Sequence, residues 1–95
     1  MRFAIIYRPK DQPSPEQMPE LLQGMAAWMQ TYDSQLENVS FFVGGGGIGT
    51  VETDDAAELA KMLTANPFTL HSEVEIKPLI DPATAIGILQ ESYGS

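Results

Sequence analysis

Three features of the 95-residue sequence predict an α+β fold. Short runs rich in β-branched and aromatic residues recur along it, as strands require. Stretches with apolar residues three and four apart separate them, which is the spacing of a helix face. Clusters of proline, glycine, serine and aspartate stand between the two kinds, and these residues start and stop such elements.

The run RFAIIYR, Arg2 to Arg8, is the first strand, closed off by Pro9 and Pro13. Ser14-Pro15-Glu16-Gln17 then combines an N-cap serine, a proline at the first helical position and a capping-box glutamine. Met18, Leu21, Leu22, Met25, Met29 and Tyr32 follow at helical spacing, so the first helix runs to Tyr32. Gly24 inside it costs about 1 kcal/mol relative to alanine and marks a close approach to the sheet. Val39 to Val43 (VSFFV) and Ile48 to Thr53 (IGTVET) read as two strands joined into a hairpin by Gly44 to Gly47. Asp55-Ala56-Ala57-Glu58 opens a second helix, with Thr53 and Asp54 as equal candidates for its cap; Leu59, Ala60 and Leu63 form its stripe, and it stops before Asn66-Pro67. From Thr69 to Lys77 the chain alternates, with Leu70, Val74 and Ile76 on one parity and His71, Glu73, Glu75 and Lys77 on the other. Asp81 caps and Pro82 begins a last short helix bearing Ile86, Ile88 and Leu89.

Strand, helix, strand, strand, helix, strand is the split βαβ order of a ferredoxin-like βαββαβ sandwich, an antiparallel sheet with helices on one face; here an extra C-terminal helix follows. One domain is expected to take up residues 1–95. The far face of the sheet needs a cover, because Phe3, Ile5 and Tyr7 oppose Ala4 and Ile6, and Phe41 opposes Phe42. A second subunit, making a homodimer, is the expected cover.

Thirteen carboxylates against five Lys and Arg give a net charge of −8. Such a surface repels phosphate backbones and anionic lipids, so neither nucleic acid nor membrane is an expected partner. The absence of cysteine excludes disulfides, thiolate metal sites and a cysteine nucleophile. The opening lacks the apolar length and cleavage site of a signal peptide, and no segment reaches transmembrane length, so a cytoplasmic protein is expected.

Gly44, Gly46 and Gly49 satisfy the letters of GxGxxG, but that fingerprint needs a turn feeding a helix, and this one feeds a strand. It reads as a flexible hairpin tip. His71 is the only histidine, and strand alternation sets Glu73 on its face, a candidate general base with its orienter. An antiparallel partner strand would bring Arg2, Ala4, Ile6 and Arg8 to the same face, with Arg8 as an anchor for an anion. The competing reading is a row of cross-strand ion pairs. Trp28 and Tyr32 sit four apart on the first helix, as core, interface or cavity wall together with Tyr7. No GxSxG elbow supports a serine hydrolase, and one histidine with alternating glutamates is too poor a set for a transition metal.

The stretch VETDDAAELAKMLTANPFTLHSEVEIKPLID, Val51 to Asp81, resembles the second half of muconolactone isomerase and related small proteins, within the dimeric α+β barrel superfamily. The Pro9-to-Pro15 loop departs from that isomerase. The resemblance implies two ferredoxin-like subunits packed sheet to sheet, each with a small-molecule pocket between sheet and helices. It implies isomerisation or cofactor-independent oxygenation, with no cofactor. It carries over no catalytic residue. The expected function is binding of a small organic acid or enol, with isomerisation or oxidation as its candidate chemistry, and the residues themselves offer His71 and Glu73 as the catalytic pair, Arg8 as anchor, and Tyr7 and Trp28 as walls. The alternative is a non-catalytic dimeric module for assembly or partner binding.

Overall fold

The computed structural model describes residues 1–94. Its elements are β1 (Arg2–Pro9), α1 (Met18–Thr31), β2 (Leu36–Phe41), β3 (Gly47–Glu52), α2 (Ala56–Ala65), a 3-10 turn (Thr69–His71), β4 (Ser72–Leu79) and α3 (Pro82–Tyr93). The strands form one antiparallel sheet in the order β2-β3-β1-β4. This is the expected α+β, ferredoxin-like βαββαβ order with a further C-terminal helix.

Register decides what each face carries. Ile5 lies opposite Gly49 and Ile76, and Tyr7 opposite Gly47 and Val74. Directly opposed residues share a face, so these residues look toward α1 and α2. There Ile5 and Val51 pack with Trp28 of α1 and with Leu59, Met62 and Leu63 of α2. Trp28 is buried, and its indole N–H donates to the Met62 carbonyl at 2.9 Å, tying the two helices together. The other face carries Arg2, Ala4, Ile6 and Arg8 beside Glu73, Glu75 and Lys77, as the alternation predicts. Arg2 pairs with Glu37, while Glu75 takes both Arg8 and Lys77. Such exposed pairs are weak in water, so they order this face more than they stabilise the fold.

Several boundaries differ from the sequence reading for identifiable reasons. The Ser14–Gln17 capping box forms, with Gln17 N–H on Ser14 Oγ at 3.3 Å and Ser14 N–H on Gln17 Oε1 at 3.1 Å, yet α1 proper starts only at Met18. Pro19 has no N–H to continue the ladder back to Pro15, so the box closes a separate turn. The second strand starts at Leu36, three residues before Val39, because Asn38 takes a left-handed φ of 52° at an irregularity between Glu37 and Ser40. Phe42 and Val43 fall in the turn instead, where Gly45 and Gly46 hold φ of 107° and 83°. Asp55 is the cap of α2, accepting from the N–H groups of Ala57 and Glu58. Gly24 approaches Pro67 rather than the sheet: a Cβ there would stand 3.2 Å from the proline ring.

No helix among the described residues is long and apolar enough to cross a membrane. α3 is capped by Asp81, whose carboxylate accepts from the Thr84 N–H and hydroxyl. Every residue of this helix is exposed except the half-buried Ala85. The radius of gyration is 16.2 Å, against about 12 Å for a compact chain of this length, and the longest extent is 60 Å.

Candidate active site

A cavity of about 820 Å³ lies between α1 and the sheet. Two glycines form part of its floor. Gly47 and Gly49 sit on the helix-facing side of β3, opposite Tyr7 and Ile5, and let β2 come close: a Cβ at Gly47 would stand 2.9 Å from the Ser40 carbonyl oxygen, and one at Gly49 3.4 Å from Val39. Met18, Leu22, Met25 and Trp28 of α1 form the roof, and Leu36, Val39, Phe41 and Phe42 the far wall. The near end is made by Asn66, Phe68 and His71 from the connection between α2 and β4. The rim is the loop Pro9–Pro13 together with the glycine turn, whose Gly46 comes so close to β1 that a Cβ would fall 2.2 Å from the Tyr7 carbonyl oxygen. Apolar walls with a few convergent polar groups are the ordinary make-up of a small-molecule pocket.

His71 lines this cavity, and its Nδ1 stands 2.6 Å from Asp11 Oδ1. The rim loop is fastened to the same residue by its backbone, Lys10 N–H donating to the His71 carbonyl at 3.0 Å. A carboxylate on Nδ1 selects the tautomer that leaves Nε2 as a proton acceptor. Tyr7 also lines the cavity, but its phenol is occupied. Thr69 Oγ1 donates to the Leu63 carbonyl at 2.5 Å, so Tyr7 O–H donates to Thr69 at 2.9 Å. Burial pushes the Tyr7 pKa upward, against the smaller opposite effect of that hydrogen bond. Tyr7 is a neutral wall, and Trp28 is another.

The expected constellation is thus split by the sheet. His71, Tyr7 and Trp28 line the cavity. Glu73 and Arg8 oppose each other on the far face, where Arg8 Nη1 reaches Glu75 Oε1 at 2.5 Å. Alternation from Thr69 fails because Thr69–His71 is a 3-10 turn and β4 starts at Ser72, which breaks the parity linking His71 to Glu73. The same turn leaves Leu70, expected to face the helices, 81% exposed. The partner of His71 is Asp11, in a proline-bounded loop that offers no periodicity from which to read it. Asn66 was legible only as a helix stop, and Gly47 with Gly49 only as part of a turn; strand parity was the one signal able to place the latter pair on the cavity side.

A family model described as a domain of unknown function, DUF3303, matches residues 1–93. The chain belongs to the DUF3303 family. No curated protein matches it in sequence. In fold this DUF3303 chain is similar to muconolactone isomerase, with a TM-score of 0.74 at 15% identity over 87% of this chain and 93% of that one. It is also similar to 5-chloro-2-hydroxyhydroquinone dehydrochlorinase from Burkholderia phenoliruptrix, solved in complex with 2,5-dihydroxybenzoquinone: TM-score 0.70, 16% identity, 88% of this chain and 98% of that one. The likeness to muconolactone isomerase seen in Val51 to Asp81 therefore holds for the fold of most of the chain, and at these identities it concerns the fold alone.

Proposed function

We propose that this DUF3303 chain binds a small acidic or enolic ring compound in the cavity beneath α1 and moves a proton on it, as a homodimer. The observation that carries the reading is the His71–Asp11 pair on the wall of a mostly apolar cavity. With Nδ1 held by Asp11, Nε2 accepts a proton from a carbon next to a carbonyl, and the resulting imidazolium returns it to another atom of the same molecule. That is an isomerisation, balanced without oxidant or reductant. Tyr7 and Trp28 serve as walls that exclude water. The names of the fold's relatives, an isomerase and a dehydrochlorinase crystallised with a dihydroxyquinone, support this choice of substrate class. The homodimer is supported by α3, whose Ile86, Leu89 and Tyr93 are exposed, with no cover among the described residues. An isolated helix of 12 residues is marginal in water, and a second copy offers it one.

Incubating the protein with hydroxyquinones and unsaturated lactones in D₂O, and following deuterium uptake at carbon, tests the reading. Wild type should exchange at least one of these compounds, and His71→Gln should be slower by about 10²–10⁴-fold. Equal rates in the two proteins would remove His71 from the chemistry and leave the non-catalytic dimeric module.

A further inference from the structure

Asn66 is 4% exposed, the one buried polar residue among the described residues. Almost every hydrogen-bonding group it has is already used. Its N–H donates to the Leu63 carbonyl at 3.2 Å, its carbonyl accepts from Thr69 N–H at 3.2 Å, and its Oδ1 accepts from Phe68 N–H at 2.8 Å. The last contact fixes which end of the amide is oxygen, because only oxygen can accept from a backbone N–H. What remains is the Nδ2 amide, with two donors and no partner among the described residues. No side-chain nitrogen or oxygen is sealed without a partner among the described residues. Nδ2 is therefore reachable, although its residue is almost wholly buried, and the opening that Asn66 lines is the cavity. Ending α2 accounts for Oδ1 alone, since a hydroxyl or carboxylate oxygen would make the same turn. It does not account for an amide whose two donors are free and open onto the cavity.

From this we infer that Asn66 is a ligand-positioning residue whose Nδ2 donates to a carbonyl or enolate oxygen on the bound ring. The inference rests on the proposed function and narrows it. The ligand carries an oxygen acceptor on the part that enters beneath α1, and the donor that meets it is neutral. An enolate formed by proton loss to His71 would have its charge stabilised by a group that needs no reorganisation.

Titration of ¹⁵N-labelled wild-type protein with 2,5-dihydroxybenzoquinone reads this directly, because Asn66 is one of only two asparagines and Asn38 serves as an internal control. The Asn66 side-chain amide pair should shift with the cavity signals while that of Asn38 stays. Asn66→Asp keeps an oxygen that accepts from Phe68 and loses the donors, so it should weaken binding of this probe by about tenfold or more, measured below the lower melting temperature that a buried carboxylate brings. Shifts at Ile5 and Met25 with none at Asn66, or unaltered affinity in Asn66→Asp, would overturn the role of Asn66 and leave the cavity as the binding site. No shift at any cavity residue would overturn both. The wild-type titration decides alone if the variant does not fold.

Discussion

Single side chains here divide according to the side of the sheet they occupy, and their consequences can be separated. Tyr7→Phe removes a part-buried hydrogen bond and should cost about 1 kcal/mol in denaturant unfolding at pH 8. Its pH dependence has a definite sign. The folded-state pKa of Tyr7 is raised, so the unfolded chain releases the phenol proton first; the stabilisation is intact below about pH 10 and is lost as pH rises through the folded value. Urea midpoints between pH 8 and 11 should fall more steeply for wild type than for Tyr7→Phe. On the other face, Arg8 and then Lys77 hold the Glu75 carboxyl below its ordinary range. That contribution is present above the unfolded glutamate pKa and is lost as pH falls through the lowered value. Arg8→Ala should therefore leave ligand affinity at pH 7 unchanged, measured by calorimetry, while raising the pH at which acid unfolding begins.

At the scale of elements, β3 forms part of the cavity floor, and its glycines are not equivalent. Gly46 has a left-handed φ of 83° and no room for a Cβ against β1, so Gly46→Ala should destabilise by about 1–3 kcal/mol. Gly49→Ala meets only Val39, at 3.4 Å, and should fold normally while placing a methyl group on the cavity floor. Its melting temperature should stay within a few degrees of wild type, and its affinity for 2,5-dihydroxybenzoquinone should drop. The element order, the faces of β1 and of β4 from Ser72 onward, and the Asp81 cap were readable, because alternation and capping are local rules written in neighbouring residues; the faces of β2 and β3 were not, and Asp55 was one of three candidate caps. What could not be read were features set by distant contacts. The 3-10 turn at Thr69–His71 is tied to α2 through the Thr69 hydroxyl, and nothing in the local alternation announces it. Asp11 meets His71 across 60 positions of sequence. Period-2 reasoning carried three residues too far, through the turn at Thr69–His71, put His71 on the wrong face, and with it Arg8 and Glu73 into the same constellation.

For the molecule as a whole, the extended shape and the bare α3 belong together. The far face of the sheet is less apolar than the sequence suggested: Ala4 is already 7% exposed, and charged pairs line much of the rest. Ile86, Leu89 and Tyr93 form an apolar face left open on α3, alongside exposed apolar residues at the glycine turn such as Phe41 and Val43. Sedimentation should give about twice the 10.4 kDa chain mass for wild type, while Ile86→Glu with Leu89→Glu should shift the population to monomer. A monomeric wild type would remove the homodimer without touching the cavity. The measurement closest to the central claim is a crystal structure of the protein soaked with 2,5-dihydroxybenzoquinone. The expected result is a ring beneath α1, above Gly47 and Gly49, with oxygens within hydrogen-bond reach of His71 Nε2 and Asn66 Nδ2. A cavity filled by the protein's own side chains or by a neighbouring subunit, with His71 and Asp11 facing only water, would contradict it.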